Sequence, residues 1–448
     1  MQCFKNISTV CLLLFIQMSS YAQSRDSSHA FSIQQCVDYA KQHNLQVKNA
    51  LLDYKIQQQD NRATTAAALP SVTGAAGITT YVQIPTTLLP GEFFGQPPGS
   101  YIPVKFGTKY NANTGITLQQ TLFDGQVFVG LQARQTSLDY RMKNFDITEE
   151  SIRANIYKVY YQLVVSKTQM QQLDANIDRT KNLLHVNTEM YKNGFAEKID
   201  ADKTSVQLAN LETEKNKTQA SINNGYLGLK FLMGMPVQDS LALTDSITED
   251  KIKEGLLNDG IYKYTDRNDY QFLELGKKLN EYNIKRYKLS YIPTLSITGN
   301  YSKQAQRTKF DIFGNGDWFT TSYVGVNLAV PIFDGFQKDA NIKKAKLQLQ
   351  QTQNQLENLK ISIDNDVLQA TTNFHTAIGT MDYQQKNMQL AEQVYNQAQK
   401  RYEAGLGTTL EITNAQSDLR IAQSNYVSAM YDAIIAKIDY LKATGKLP

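Results

Sequence analysis

The pentapeptide LFDGQ at Leu122–Gln126 recurs as IFDGF at Ile332–Phe336, 210 residues further along the chain. Each copy follows a run in which polar and apolar residues alternate, and each precedes a long polar stretch. Alternation with a period of two predicts a β-strand, whereas a long stretch without Gly or Pro predicts a helix. Each Gly is expected to permit a sharp change of direction. The predicted strand-to-helix joints consist of Phe123, Asp124, Gly125, Phe333, Asp334 and Gly335.

Further motifs recur with almost the same offset. YKNGFAEKID at Tyr191–Asp200 is matched by YEAGLGTTLE at Tyr402–Glu411, with the two Gly residues 211 positions apart. This constancy predicts a tandem duplication, with a first repeat over 23–236, a second over 261–448 and a short segment, 237–260, between them. The first copy carries 13 extra residues between its Leu-Pro step and its joint, which predicts an insertion in a surface loop.

The first 22 residues have a short polar start, an apolar core and a small-x-small end, which predicts a signal peptide cleaved after Ala22. The alternative is a buried N-terminal helix. Without this segment the chain keeps one cysteine, Cys36, so no intrachain disulfide is expected. It also keeps 45 basic and 42 acidic residues, a balance that gives no electrostatic basis for nucleic-acid binding.

Two very long segments lack helix breakers. No Gly or Pro occurs from Leu131 to Asn193, and only Gly379 occurs from Gln337 to Ala404. A walk in steps of four and three residues from Leu138 to Tyr191 meets apolar side chains at 12 of 16 positions, which predicts a coiled-coil seam. The four exceptions are Glu149, Ser166, Thr180 and Asn187. We predict two antiparallel helix hairpins, over about 126–232 and 336–442, each bent at a Gly turn.

Four alternating runs are predicted as strands, at about 71–83 and 110–122 in the first repeat and about 294–304 and 321–332 in the second. Each has the length of a tilted strand across a bilayer. The segments between the strands of each pair, 84–109 and 305–320, are predicted as loops. Four strands cannot close around a lumen, and lipid does not tolerate open sheet edges, so membrane strands would require a barrel shared by several chains. The alternative is two soluble hairpins packed on the helices.

The order and spacing of these features resemble the TolC-like outer-membrane efflux family. The resemblance covers about residues 30–448 and includes the leading helix SIQQCVDYAKQHNLQVKNA (Ser32–Ala50), the doubled FDG and the doubled Y-x-x-G turn. It implies a mainly α fold with a membrane β-barrel contribution, in which each chain supplies long coiled-coil helix hairpins plus four β-strands. A homotrimer would form one twelve-stranded barrel and an α-helical periplasmic tunnel, with 237–260 in an equatorial belt.

The resemblance also implies a passive exit duct in the outer membrane, serving a tripartite efflux or secretion system. The expected partners are a periplasmic adaptor (membrane fusion protein), an inner-membrane transporter and outer-membrane lipid. No catalytic, cofactor or metal site is predicted, because the four histidines are scattered and no phosphate loop or nucleophile elbow occurs. The alternative is a soluble periplasmic coiled-coil scaffold or adaptor, although adaptors lack a doubled strand–loop–strand insert.

By the same resemblance, the two Gly turns form the periplasmic tip of the tunnel. The turns expected to dock the adaptor consist of Gly194, Phe195, Gly405 and Leu406. Gly407 stands where relatives carry a basic residue, so that part of the closing latch is expected to be absent.

Four residues next to these turns are candidates for the gate and its ion selectivity. Glu411 and Asn414 share a helix face and would line the constriction, while Asp200 occupies the position of Glu411 in the first repeat. Tyr402 and Asp200 match a pair that joins the two hairpins in the shut state of relatives. From the residues alone, both acids are equally explained as helix-start acids favoured by the helix dipole.

Overall fold

The computed structural model describes residues 28–246, 252–253 and 262–448. The predicted signal peptide, 1–22, lies outside these residues, as does most of the predicted segment 237–260 beyond residue 246. The helices are α1 (Ile33–His43), α2 (Leu45–Ala66), α3 (Gly125–Lys192), α4 (Lys198–Met233), α5 (Asn268–Leu289), α6 (Gln337–Glu403) and α7 (Thr409–Ala443). The strands are β1 (Ser28–Phe31), β2 (Ser71–Thr80), β3 (Thr86–Pro90), β4 (Tyr101–Lys105), β5 (Tyr110–Phe123), β6 (Ser240–Leu243), β7 (Thr294–Arg307) and β8 (Phe319–Ala329).

The chain divides into two compact units, and each draws segments from both sequence repeats. The helical unit contains the described parts of Met1–Leu52 and Lys143–Gln271, together with Asn358–Pro448. The sheet unit contains Asp53–Met142 and Phe272–Glu357. Among the described residues, no helix combines the length and the apolar character needed to cross a membrane.

The main sheet of the sheet unit is antiparallel, with the strand order β2-β5-β7-β8. Its central pair joins the two repeats, because β5 comes from the first repeat and β7 from the second. Within the described part of the chain, the outer strands β2 and β8 each pair on one side only. The sheet therefore has two open edges in a single chain.

The register of this sheet places apolar side chains on one face. Ile116 of β5 lies opposite Tyr301 of β7, and Ile297 of β7 lies opposite Val326 of β8. Many of these side chains are exposed, even where they lie far from the sheet ends. The members of this apolar face that are at least 38% exposed include Val72, Ile78, Ile116, Leu118, Tyr301, Val324, Val326 and Leu328.

The opposite face of the sheet is polar, and its side chains bond across the strands. The Asn300 Nδ2 donates to the Thr117 Oγ1 over 3.0 Å. The Asn327 Nδ2 donates to the Thr298 Oγ1 over 3.1 Å. The two faces thus differ in the way that the alternating sequence predicts.

The segment 84–109 was expected to be a loop, but it contains the hairpin β3–β4. Leu88 pairs with Pro103 and Pro90 pairs with Tyr101 in this ribbon. Prolines weaken a sequence-based strand prediction because they lack the main-chain N–H that donates a hydrogen bond to the neighbouring strand. In a two-stranded ribbon each strand has an outer edge that forms no hydrogen bonds within the ribbon. A proline whose nitrogen lies on that edge therefore costs the ribbon no hydrogen bond. This hairpin accounts for the insertion that the repeat spacing indicates.

The two FDG motifs build different joints. In the first, β5 ends at Phe123 and α3 begins at Gly125, and the Asp124 carboxylate accepts from the main-chain N–H of Gln126 over 2.7 Å. A Cβ at Gly125 would lie 2.7 Å from the Cβ of Leu289, so this Gly is required for close approach to the end of α5 rather than for a left-handed turn.

In the second joint, strand and helix are not adjacent. The strand β8 ends at Ala329, three residues before the predicted end, and seven residues separate it from α6. Gly335 and Phe336 have φ angles of 64° and 65°, and the Asp334 Oδ2 accepts from the N–H of Lys338 over 3.0 Å. Here the Gly does support a change of chain direction, as expected, because L side chains rarely adopt positive φ.

The long helices form the hairpins that the heptad walk indicates. The helix α3 has 68 residues and α6 has 67, so each is about 100 Å long at 1.5 Å per residue. Seam positions such as Ile156 and Leu163 are buried and pack with Leu229 of α4. In the second repeat, Phe374 and Met381 of α6 pack with residues of α7 in the same way.

The leading segment of the helical unit docks on this packing. The strand β1 pairs in parallel with β6, which lies in the described part of the predicted segment 237–260. Cys36 of α1 is fully buried. Burial is the main reason why the pKa of its thiol is raised to about 12, and the nearby negative charge of Asp245 raises the pKa further. Cys36 is therefore an unreactive core residue.

Candidate functional site at the helix-hairpin turns

The two hairpin turns have the same main-chain geometry. Gly194 and Gly405 adopt φ angles of 79° and 73°. In each turn the N–H of the Gly donates to the carbonyl oxygen three residues earlier. The N–H of the next residue donates to the carbonyl oxygen five residues earlier, from Phe195 to Met190 over 2.8 Å and from Leu406 to Arg401 over 2.9 Å. This is the Schellman arrangement, which satisfies the last carbonyls of a helix.

The residue after each Gly presents an apolar side chain to the surroundings. Phe195 is 80% exposed and Leu406 is 74% exposed. In a Schellman turn this position commonly packs back on the preceding helix, and here it does not. The predicted docking residues therefore form two matched exposed apolar points, one at each turn.

The gate candidate Glu411 lies in the first turn of α7 and takes part in a capping box. The Thr408 Oγ1 accepts from the Glu411 N–H over 3.2 Å, while the Glu411 Oε2 accepts from the Thr408 N–H over 3.4 Å. The same carboxylate oxygen lies 4.0 Å from the Arg401 Nη2. Half of the Glu411 side chain remains exposed, and Asn414, one turn further on, is exposed.

The resemblance implied that the hydroxyl of Tyr402 bonds to Asp200, but the structure gives it a different partner. It donates to the Asn187 Oδ1 over 2.6 Å. The Asn187 Nδ2 then donates to the Thr204 Oγ1 over 2.9 Å, and the Thr204 hydroxyl donates to the main-chain carbonyl of Asp200 over 2.8 Å. Tyr402 thus reaches Asp200 only through two intermediate side chains and never through the carboxylate. The network joins α6 of the second repeat to both helices of the first hairpin.

Two of these residues, Asn187 and Thr204, were not among the sequence candidates. Asn187 is fully buried and Thr204 is 1% exposed. A signal for Asn187 was present, because it is one of the four polar exceptions on the heptad walk of α3. A polar residue at a seam position often determines how helices pair. Its partner could not be read from the sequence, since Tyr402 lies 215 positions away.

Two further polar contacts, one buried and one partly buried, join α3 to α7. The Gln416 Nε2 donates to the Thr180 Oγ1 over 2.6 Å, and the Asn176 Nδ2 donates to the Gln423 Oε1 over 2.9 Å. The spacing of positions 176, 180 and 187 places their side chains on one face of α3. The Gln416 Oε1 is buried without a hydrogen-bond partner in the described residues.

These polar contacts join the two hairpins near the turns, but they do so more weakly than an apolar seam would. A neutral hydrogen bond contributes only about 0.5–1.5 kcal/mol net, because water replaces it when the groups are exposed. A buried Leu at the same position would contribute about 1.5–3 kcal/mol through loss of apolar area from water. These contacts therefore favour helix packing that can separate at a small cost in free energy. Within the described ranges, no group of three or more His, Cys, Asp or Glu could hold a metal ion.

Comparisons with known proteins identify relatives of the chain. The outer membrane efflux protein family matches residues 273–446. The outer membrane efflux protein BepC of Brucella suis is 22% identical over 413 residues, which cover 91% of this chain and 84% of that protein. The outer membrane protein TolC of Escherichia coli is 19% identical over 359 residues, covering 76% of this chain and 71% of the relative.

Solved structures give the same result for the fold. The outer membrane protein VceC of Vibrio cholerae superposes with a TM-score of 0.71 at 16% identity, covering 92% of this chain and 96% of that one. The open state of the MtrE outer membrane channel of Neisseria gonorrhoeae superposes with a TM-score of 0.67 at 17% identity, covering 92% and 88%. The chain is thus mainly helical with the fold of these channels, and its resemblance to the TolC-like outer-membrane efflux proteins is confirmed.

Proposed function

We propose that this chain is an outer-membrane exit duct of a tripartite efflux or secretion system. It conducts substrates passively from a periplasmic adaptor and an inner-membrane transporter to the exterior. The observation that carries the proposal is the main sheet, which has an exposed apolar face, a hydrogen-bonded polar face and two open edges, and which continues into helices of about 100 Å.

The sheet is best explained as one part of a barrel in the membrane. Outer-membrane strands present apolar side chains to lipid and polar side chains to the interior. A sheet edge in lipid must be closed, and four strands are too few to surround a lumen. A homotrimer closes the sheet by pairing β8 of one chain with β2 of the next, which gives twelve strands, an even number within the usual range.

The helices carry a matching set of contact surfaces for neighbouring copies. On α4, three exposed apolar residues are separated by multiples of seven positions. On α6, four exposed apolar residues form two pairs, and the members of each pair are seven positions apart. We call these the α4 stripe (Ile199, Val206 and Leu227) and the α6 stripe (Ile361, Leu368, Tyr383 and Leu390). All seven side chains are at least 45% exposed. A seven-residue apolar repeat on a helix surface requires a partner helix, and the adjacent copies in the trimer supply it.

The second candidate function, a soluble periplasmic scaffold or adaptor, accounts for the coiled coils but not for the sheet. In a soluble chain the apolar face would pack against helices, yet Val324 in the middle of β8 is 76% exposed. The polar face, which would then be the solvated one, is the face that carries the cross-strand hydrogen bonds of Asn300 and Asn327. The duct is therefore the better explanation.

The experiment that tests the duct combines membrane fractionation with conductance. The full chain should sediment with outer membranes, migrate as a heat-modifiable trimer, and give discrete conductance steps in planar bilayers. A stable monomer that stays soluble without detergent would contradict the proposal.

The hairpin turns are assigned to the periplasmic tip of this duct. Phe195 and Leu406 provide the apolar contacts for the adaptor, and the Tyr402–Asn187–Thr204 network holds the hairpins together in the shut state. Glu411 and Asn414 form rings of three around the constriction, so that carboxylates face the permeating ions.

The hydrogen bond of Tyr402 is expected to restrain opening. The variant Tyr402→Phe removes one neutral hydrogen bond per chain, worth about 1 kcal/mol, which shifts the shut-to-open ratio about 5-fold per protomer. Single-channel recordings should therefore show a larger open fraction than in the parent chain. Tyr191→Phe is the matched control, because Tyr191 is the equivalent residue at the turn of the first repeat and its side chain is 44% exposed. Equal behaviour of the two variants would exclude Tyr402 from the latch.

The carboxylate of Glu411 is expected to favour cations at the constriction. Glu411→Gln removes the charge but keeps an oxygen that can accept from the Thr408 N–H, so the capping box is retained. The reversal potential in a salt gradient should shift toward zero, with little change in thermal stability. An unchanged reversal potential would leave Glu411 with a capping role only.

A further inference from the structure

Three helix ends meet at one end of the main sheet, where β5 finishes and β7 starts. The first residue of α3, Gly125, packs against Leu289 at the end of α5. The Nζ of Lys338, in the first turn of α6, lies 5.6 Å from the centre of the Tyr291 ring, three residues before β7. The register pairs Phe123 with Leu295, which confirms that these ends belong to the same edge of the sheet. All of these residues lie in the sheet unit.

This end of the sheet unit concentrates positive charge. The whole chain has 46 basic and 42 acidic residues, whereas the sheet unit alone has 18 basic and 12 acidic ones. Seven of the 18 fall within 285–288 and 338–346. Two are paired, Lys338 with Asp334 and Lys343 with Asp339. Lys288, Lys344 and Lys346 are exposed and have no ion pair within the described residues.

Exposed aromatic and apolar side chains surround the same helix ends. Phe333 and Phe336 pack edge to face at 5.6 Å and are 78% and 72% exposed. Ile332 is 93% exposed and Tyr291 is 51% exposed. The guanidinium of Arg286 lies 4.9 Å from the centre of the Tyr287 ring, which completes a pattern of cations placed beside aromatic rings.

We call these groups the joint belt, defined as Lys288, Lys344 and Lys346 with Tyr291, Phe333 and Phe336. We propose that the joint belt binds anionic phospholipids of the leaflet nearest the helices, with the lysines on the headgroup phosphates and the aromatic rings at the acyl boundary. Aromatic side chains favour this depth of a bilayer, and long lysine side chains extend from it toward the charged headgroups. Phe333 follows the end of β8 by four residues in the chain, so lipid bound at the belt would also meet the apolar face of the sheet.

Charge complementarity determines this choice of occupant. The unpaired lysines and the exposed rings lie close to the same helix ends in the chain, and together they match a ligand that carries a phosphate at one end and hydrocarbon at the other. Each lysine near an anionic surface strengthens the attraction about 5-fold, provided that the phosphate lies within a Debye length of about 10 Å at 0.1 M salt. The inference rests on the proposed membrane location of the sheet.

Native mass spectrometry of the detergent-purified full chain tests the inference. The protein is mixed with equal amounts of phosphatidylglycerol and phosphatidylcholine, and the lipids retained by each species are counted. The parent chain should prefer phosphatidylglycerol. The triple variant Lys288→Gln, Lys344→Gln and Lys346→Gln should lose that preference by about 100-fold, since each of the three lysines contributes about 5-fold and the factors multiply.

A charge-matched control separates the belt from a general effect of net charge. The variant Lys48→Gln, Lys55→Gln and Lys278→Gln removes three exposed lysines from α2 and α5 and should retain the preference. Equal losses in the two variants, or no preference in the parent chain, would overturn the inference. Conductance of the parent chain in phosphatidylcholine bilayers is measured in parallel. A conducting protein without lipid preference refutes only the belt, whereas a non-conducting one refutes the duct.

Discussion

Val324→Arg is expected to abolish accumulation of the protein in the outer membrane. Val324 lies in the middle of β8 on the apolar face, opposite Gly299. An Arg that faces lipid near the bilayer midplane costs about 2–4 kcal/mol, and the cost is incurred three times in a homotrimer, about 6–12 kcal/mol in all. That total is comparable to the whole stability of an ordinary domain. The measurement is the yield of heat-modifiable trimer in the outer-membrane fraction.

The matched control for this prediction is Tyr323→Arg. Tyr323 is the neighbouring residue on β8 and is similarly exposed, at 55%, but it lies on the opposite, polar face. An Arg there would reach the aqueous interior of the barrel, so the trimer yield should stay within about 2-fold of the parent chain. If both variants accumulate equally well, the apolar face does not contact lipid.

Leu368→Glu is expected to convert the proposed trimer into monomers. Leu368 belongs to the α6 stripe and is 70% exposed in the single chain. The substitution loses the burial of a Leu side chain, about 1.5–3 kcal/mol, and brings a carboxylate into an apolar seam, where an unpaired charge costs several kcal/mol more. Both effects act at each of the three interfaces. Size-exclusion chromatography with light scattering in detergent gives the mass of the protein without its bound detergent, and this mass distinguishes a trimer from a monomer.

The adjacent residue provides the control. Gln369→Glu adds the same charge to the same helix at an exposed position one step away from the stripe. A surface charge of this kind changes stability by no more than about 0.5 kcal/mol, so the trimer should persist. Dissociation in both variants would point to net charge instead of the stripe, and a trimer in both would mean that α6 meets its neighbour through another face.

Several features of this fold follow from short stretches of sequence because they depend on local periodicity. The breaker-free run from Leu131 to Asn193 and its heptad repeat predict the helix α3, and the structure contains it as Gly125–Lys192. The Gly turns were also predictable, since Gly194 and Gly405 adopt the positive φ that other residues avoid. The insertion was placed correctly, but its hairpin was missed because prolines hide a two-stranded ribbon from pattern analysis.

The sequence by itself determined the duplication, the long helix hairpins, the alternating strands and the positions of the turns, because each of these depends on residues close together in the chain. Only the tertiary structure decided that Tyr402 bonds to Asn187 rather than to Asp200, that Gly125 is required for contact with Leu289, and that β5 pairs with β7. These contacts join residues more than 150 positions apart. Their partners depend on how entire helices and strands pack, and no local pattern records that packing.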